Sequence, residues 1–237
     1  MGFEEVLKEN FPVVFTEVDY VKKTYSVLKE FGFNDENSIA SVCICRDEIS
    51  QSLRSIIKHV WGEAFNLSSL AGMFTAGKTG LKAATHHAPR VDNRERYIYY
   101  VIPHIAINEE GKTGFCKRKG INEESSACGA LCLFLDELRK GKLNITIDEE
   151  DIEESLLKRR LLTEIPYGQI PDLIELTKIT RKVIQSDLEH AIEKVVDTKK
   201  SDYAVFTGIQ IHGPDGNYIW PSESYAVVKN KRTAINL

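Results

Sequence analysis

The chain has 237 residues, of which 42% are hydrophobic and 28% charged, and its formal net charge is -4. This length suffices for a full hydrophobic core, and the composition excludes a disordered, collagen-like or low-complexity chain. The mild acidity gives no reason to expect nucleic-acid binding, and no apolar run is long enough to cross a membrane. Residues 1–5 have neither the basic start nor the apolar core of a signal peptide, so we expect a cytoplasmic protein.

Apolar periodicity predicts helices that alternate with strands. In chain order we expect helix 18–31, strand 38–45, helix 49–60, helix 81–87, strand 97–107 interrupted at Pro103, helix 125–141, helices 156–162 and 173–196, and strands 203–212 and 218–228. Strands alternating with helices predict an α/β fold: a single domain over residues 1–237, with a mostly parallel central sheet flanked by helices.

The cysteines point to a metal site. Their odd number, five, indicates reduced thiols rather than a disulfide framework. Cys45 ends one predicted strand, His104 lies late in another, and Cys128 begins a helix, where the helix dipole lowers a thiol pKa. Sites of α/β proteins gather beyond the carboxyl ends of the strands, so we expect these three side chains to converge.

The other candidate side chains have structural interpretations. We expect Cys43 to face away from Cys45 and to lie in the core, the usual place of a free cysteine. A core position is also favoured for Cys132, whereas Cys116 lies in a lysine-rich loop without an obvious partner. His212 closes a predicted strand and is expected to be structural.

A second motif suggests a different function. Residues 72–79 match the phosphate-binding pattern G-x-x-x-x-G-K-[ST], and Asp136 resembles the acidic residue of a magnesium-holding strand. A P-loop NTPase is therefore an alternative. Against it, Met73 and Phe74 place bulky groups where the backbone should wrap a phosphate, and the helical spacing around Asp136 predicts a solvated charge. A glycine-rich wall where two backbones approach closely explains the glycines without a nucleotide.

The segments Cys45-Arg46-Asp47, Pro103-His104 and Cys128-Gly129-Ala130 resemble the β-class carbonic anhydrase pattern, C-x-D-x-R followed by H-x-x-C-G. The chain is more similar still to the limiting-CO2-inducible B/C proteins, a divergent branch called θ-class. That similarity covers residues 45–48, 71–80, 86–89, 103–105 and 125–131. Two departures stand out: Ile49 takes the place of the arginine, and a loop rather than two residues separates the histidine from the second cysteine.

The resemblance implies a zinc-dependent carbonic anhydrase in which Cys45, His104 and Cys128 hold Zn2+. A zinc-bound hydroxide would then convert CO2 reversibly to bicarbonate. It further implies that Asp47 accepts a hydrogen bond from the hydroxide, that Arg46 or, less favoured, Arg54 orients Asp47, and that the chain forms a homodimer. If Asp47 instead bound the metal as a fourth ligand, the chain would be a catalytically silent zinc-binding scaffold or partner subunit.

Overall fold

The computed structural model describes residues 2–237; Met1, the start of the segment tested for a signal peptide, lies outside the described residues. The helices of this range are α1 (Phe3–Asn10), α2 (Glu17–Glu30), α3 (Gln51–Trp61), α4 (Gly77–Thr85), α5 (Gly129–Arg139), α6 (Ile152–Glu164) and α7 (Leu173–Val195). The strands are β1 (Phe15–Thr16), β2 (Ile39–Ile44), β3 (Ala64–Asn66), β4 (Arg90–Val91), β5 (Arg94–Ile102), β6 (His104–Ala106), β7 (Phe115–Cys116), β8 (Ser125–Ser126), β9 (Ser201–His212), β10 (Asn217–Val228) and β11 (Lys231–Ile235). None of the described helices is both long and apolar enough to cross a membrane.

One nine-stranded sheet forms the centre of the molecule, with the main strand order β1-β10-β9-β5-β2-β3. The contiguous strands β9, β5, β2 and β3 are parallel to one another, whereas β1, β9 and β11 pair with β10 antiparallel. The short strands β4 and β6 extend the sheet beside β5 and β9. The predicted α/β fold with a mostly parallel central sheet flanked by helices is therefore confirmed.

Alternation along the strands divides the interior into two cores. Residues 40, 42 and 44 of β2 pack in one core with α2 and α3, whereas residues 39 and 43 pack on the opposite face with α4–α7. Successive side chains of a strand point to opposite faces of the sheet. Because helices cover both faces, every residue of β2 is buried, which explains why all of its residues except Ser41 are apolar.

The predicted elements agree with the structure wherever the pattern is long. The predicted helices correspond to α2–α7, and the chain breaks at Pro103, between β5 and β6. The prediction missed α1, which has eight residues, and the short strands of two to five residues, because segments this short carry little periodicity. It also began one helix too early: residues 125 and 126 form β8, so α5 starts at Gly129.

The parallel strands bring the candidate ligands to one edge. Ile44 is paired with Ile102 at the carboxyl ends of β2 and β5, so Cys45 and His104 each lie just beyond a strand end. His104 begins β6, which pairs with β9 in parallel, and it lies opposite Gln210 of that strand. The expected crevice beyond the carboxyl ends of the strands is the place where the two residues meet.

Candidate metal centre

Cys45, His104 and Cys128 lie together and are all buried. Each offers one ligand atom, and these atoms lie within 4.8 Å of one another. The two sulfur atoms are 3.8 Å apart, and all five cysteines of the chain are free. The structure therefore brings together the three side chains that the sequence singled out, in a group that could hold a metal ion.

Backbone hydrogen bonds hold the segments that carry these side chains. Cys45 forms an isolated parallel bridge with Ser69, next to the hydrogen bond from the Arg46 N–H to the Ser69 carbonyl, 3.0 Å. Cys128 is the N-cap residue of α5. The carbonyl of the preceding residue, Ala127, accepts a hydrogen bond from the N–H of Ala106 in β6, 3.2 Å. The start of α5 is thereby tied to the strand that carries the histidine.

The donor set fits a zinc ion. His104 is completely buried, and its Nε2 atom has no hydrogen-bond partner among residues 2–237. A buried polar atom without a partner is costly, so a ligand is needed to satisfy it. Two thiol sulfurs and one imidazole nitrogen are the three protein ligands of a known type of catalytic zinc site. Such a site leaves the fourth coordination position open.

The two buried thiols titrate as a pair. The hydrogen bond from Cys128, helped by His104, lowers the pKa of Cys45 against the opposing effect of burial. The hydrogen bond to Cys45 and then burial raise the pKa of Cys128, and the backbone N–H groups of Ala130 and Leu131 lower it by less. The start of α5 thus contributes to lowering the pKa of Cys128, as predicted, while the neighbouring Cys45 and burial oppose it.

Asp47 stands beside the three candidate ligands. Its Oδ2 atom is 4.0 Å from His104 Nε2, and its side chain is only 12% exposed. The two carboxylate oxygens accept hydrogen bonds of 2.8 and 2.9 Å from the guanidinium of Arg118. Burial raises the pKa of Asp47, but Arg118 outweighs it together with smaller contributions and holds the pKa well below its usual range. Asp47 is therefore an ionised hydrogen-bond acceptor at neutral pH.

The arginine that orients Asp47 comes from the loop between His104 and Cys128. Strands β7 and β8 fold that loop into a hairpin, and Arg118 donates to the Ser125 hydroxyl, 2.7 Å, and to the Ser126 carbonyl, 3.0 Å. A further hydrogen bond joins Arg118 to Glu48. These contacts fix the guanidinium so that it presents two N–H groups to Asp47.

The expectation that Arg46, or less favourably Arg54, orients Asp47 is wrong. The Arg46 side chain is 62% exposed and pairs with Glu153 at 2.6 Å. The geometry has a simple reason: consecutive residues after a strand point in different directions, and Arg46 points out to solvent while its neighbours Cys45 and Asp47 point inward.

His212 also belongs to the surroundings of the site. Its Nε2 atom lies 3.1 Å from His104 Nδ1, and its Nδ1 atom lies 2.8 Å from Asn217 Oδ1. Burial and then the neighbouring His104 lower the pKa of His212 to about 3, so it is neutral at physiological pH. The sequence assigned His212 a structural role only, although it ends β9 at the same edge of the sheet.

Cys43 is a core residue, but not for the expected reason. It is completely buried, and burial raises its pKa to about 12. The expectation that it faces away from Cys45 is wrong, because residues two apart on a strand share a face, and both pack in the same core. Cys132 packs partly buried against that core, as expected.

The glycine-rich segment is a wall against the strand that leads to Cys45. Gly72 has φ of +79°, and a Cβ atom there would lie 3.1 Å from the backbone carbon of Ile44. The N–H groups of residues 72, 73 and 75 bond to carbonyls two or three residues earlier in the chain, which leaves these three groups unavailable to a phosphate. Close packing of two backbones therefore accounts for Gly72, whereas Gly77 has a positive φ in open space at the start of α4.

The acidic residue of the nucleotide alternative lies on a helix surface. Asp136 belongs to α5, its side chain is 53% exposed, and it pairs with Lys140 at 2.6 Å. The prediction of a solvated charge is confirmed.

A parallel-sheet α/β fold with a Cys-His-Cys group at its strand ends defines the class of β-carbonic-anhydrase-like proteins. The model of one family, the limiting CO2-inducible proteins B/C, beta carbonic anhydrases, matches residues 14–228. The chain belongs to this family.

Solved structures agree with that assignment. The crystal structure of the limiting CO2-inducible protein LCIB is 34% identical, with a TM-score of 0.83 over 97% of each chain. PtLCIB4, a homolog of LCIB, is 20% identical, has a TM-score of 0.84 over 99% of this chain and 100% of its own, and supports the fold alone. No curated protein matches the chain.

Proposed function

We propose that this chain is a zinc-dependent carbonic anhydrase that converts CO2 reversibly to bicarbonate. Membership of a family described as beta carbonic anhydrases makes the reaction plausible. The observation that carries the proposal is the buried, unpartnered Nε2 atom of His104 beside two thiols, with the ionised Asp47 carboxylate 4.0 Å away. A metal group and a separate acceptor are the two parts that this reaction needs.

Cys45, His104 and Cys128 would hold the zinc ion through two sulfurs and one nitrogen. When bound, zinc lowers the pKa of water from 15.7 to about 7 and so supplies hydroxide near neutral pH. Burial of all three side chains keeps bulk water away from the ligands. The protein must therefore supply the acceptor that aims the attacking oxygen.

Asp47 is the catalytic residue that we assign to this task. Arg118 keeps its carboxylate ionised, so Asp47 accepts a hydrogen bond from the attacking hydroxyl group and turns an oxygen lone pair toward CO2. Arg118 is a positioning residue, because it acts through Asp47. Its planar fork fixes both carboxylate oxygens, which a lysine could not do.

The same clamp favours an active enzyme over the silent scaffold. A closed site needs the Asp47 carboxylate as a fourth metal ligand. Two hydrogen bonds from Arg118 hold that carboxylate on the guanidinium, and breaking them to reach a metal would sacrifice a charge-assisted pair. The homodimer and the cytoplasmic location stay predictions.

Stopped-flow measurement of CO2 hydration with a pH indicator tests the proposal on the purified, zinc-loaded protein. The parent should be active and should lose activity when a chelator removes the metal. Asp47→Asn should lower the rate by about a hundredfold or more, because a neutral amide is a poorer and misdirected acceptor. Asp136→Asn, an exposed aspartate on α5, is the matched control and should leave the rate unchanged. A zinc-loaded parent without activity would support the silent scaffold instead.

A further inference from the structure

A chain of hydrogen bonds leads from the candidate metal centre to a buried carboxylate. His104 Nδ1 contacts His212 Nε2 at 3.1 Å, and His212 Nδ1 contacts Asn217 Oδ1 at 2.8 Å. The Asn217 amide then donates to the Ser52 hydroxyl, 3.2 Å, which donates to Glu17 Oε1, 3.0 Å. The chain joins α2, α3, β10, β9 and β6.

The Glu17 end gives the chain a direction. The side-chain amide nitrogen of Gln210, which can only donate, lies 2.5 Å from the same Glu17 Oε1 atom, so this oxygen is an acceptor. The single hydroxyl hydrogen of Ser52 is then used toward Glu17. The Ser52 oxygen must accept from the NH2 group of Asn217, and Asn217 therefore turns its Oδ1 atom to the imidazole.

That direction determines which nitrogen of each imidazole carries the hydrogen. Asn217 Oδ1 can only accept, so the imidazole form of His212 carries its one hydrogen on Nδ1 and presents its Nε2 atom to His104 as an acceptor. His104 must then carry its hydrogen on Nδ1. This leaves His104 Nε2 with a free lone pair, and it is the buried atom that has no protein partner in the described part of the chain.

We propose that His212 is a positioning residue that holds His104 in the Nδ1–H form, and that Asn217, Ser52 and Glu17 set the direction of that hydrogen bond. The proposal rests on the metal centre of the proposed function but not on CO2 hydration. Partners of this kind orient a ligand histidine and raise its basicity, and their loss typically weakens metal binding by about tenfold to a hundredfold.

Asn217, in the middle of this hydrogen-bond chain, can be replaced without disturbing a packed core. His212, Asn217 and Ser52 line a cavity of about 460 Å³, so a change at Asn217 alters the border of a cavity rather than a packed core. An aspartate at 217 keeps an acceptor for His212, whereas a leucine of similar size removes it. The pair Asn217→Asp and Asn217→Leu therefore separates the hydrogen bond from the shape of the side chain.

Two measurements test the proposal without an activity assay. Zinc affinity, from competition with a chromophoric chelator, should fall by about tenfold or more in His212→Phe and Asn217→Leu. Zinc affinity should stay close to that of the parent in His212→Gln, whose amide oxygen can accept a hydrogen bond from His104, and in Asn217→Asp. His190→Gln, an exposed histidine on α7, is the control and should bind zinc like the parent.

Nitrogen NMR of the metal-free parent with 15N-labelled histidine gives the second readout and requires no variant to fold. His104 should show a protonated Nδ1 and an unprotonated Nε2. A protonated Nε2, or unchanged zinc affinity in a folded His212→Phe protein, would overturn the proposal. If the zinc affinities and the NMR spectrum agree with the proposal but the zinc-loaded parent does not hydrate CO2, only the proposed function is overturned.

Discussion

Replacing Arg118 by leucine tests the ion pair on which the proposed chemistry depends. Arg118 and Asp47 have side chains only 14% and 12% exposed and are joined by two hydrogen bonds of 2.8 and 2.9 Å. Hydrogen bonds to charged groups are worth roughly 1.5 to 3 kcal/mol each, and removing one partner of a buried pair costs about 3 to 5 kcal/mol. Because both side chains keep some contact with solvent, we expect the lower end, about 3 kcal/mol of unfolding free energy near neutral pH.

The pH dependence identifies the carboxylate that is responsible. The pKa of Asp47 is depressed in the folded parent, so its stabilising contribution is present above the unfolded pKa of about 3.9 and is lost as the pH falls through the folded pKa. In Arg118→Leu the burial of Asp47 acts without the arginine and raises the pKa. The resulting penalty at neutral pH is relieved as the pH falls through that raised pKa. The difference in stability should thus shrink between about pH 7 and pH 4.

Urea denaturation of parent and variant with equal zinc content, at both pH values, measures this difference. Arg160→Leu is the matched control, because Arg160 also makes two hydrogen bonds to one aspartate, Asp187, but its side chain is 39% exposed. That exposed pair should cost less than about 1 kcal/mol. An equal loss in both variants, or a loss at Arg118 that does not depend on pH, would refute the assignment of Arg118 to Asp47.

Two further predictions concern the metal and the strand that carries Cys45. Elemental analysis should find one zinc per chain. The zinc affinity should fall as the pH is lowered, because protons compete for the thiol and imidazole ligands. Protein that retains no zinc after incubation with excess zinc and removal of the free metal would contradict this. Gly72→Ala should lower stability by about 2 kcal/mol and weaken zinc binding, since a positive φ and a contact with the Ile44 backbone combine there. Gly120→Ala, at a similar positive φ but in open space, should cost only the backbone strain, as thermal unfolding of both variants can check.

The three candidate ligands could be predicted because their positions follow from local pattern. Cys45 and His104 stand at the ends of long apolar strands, and parallel strands share one carboxyl edge. Cys128 stands at the start of a periodic helix. No contact between distant residues had to be known, only the alternation of strands and helices.

Arg118 required a contact that no periodicity encodes, whereas His212 was overlooked at a position that the pattern does mark. Arg118 lies 71 residues from Asp47 in the chain, in a polar loop that the pattern leaves without structure. A signal was nevertheless present, because Arg118 is the only arginine between residues 107 and 127, and an aspartate without its usual arginine needs one from elsewhere. His212 could have been found by the rule that located His104, since it ends a strand at the same edge.

The two departures from the β-class pattern meet in the β7–β8 hairpin. Ile49 removes the arginine that would follow the first cysteine by four residues, and the loop lengthens the spacing between His104 and Cys128. The loop returns as the β7–β8 hairpin and presents Arg118 to Asp47, so the same insertion that breaks one motif restores the charge that the other has lost. Hydrogen bonds from Arg118 to Ser125 and Ser126 tie this arginine to the segment just before Cys128. Orientation of the acceptor and placement of a metal ligand are therefore coupled through one short hairpin, and a change that loosens it should disturb both together.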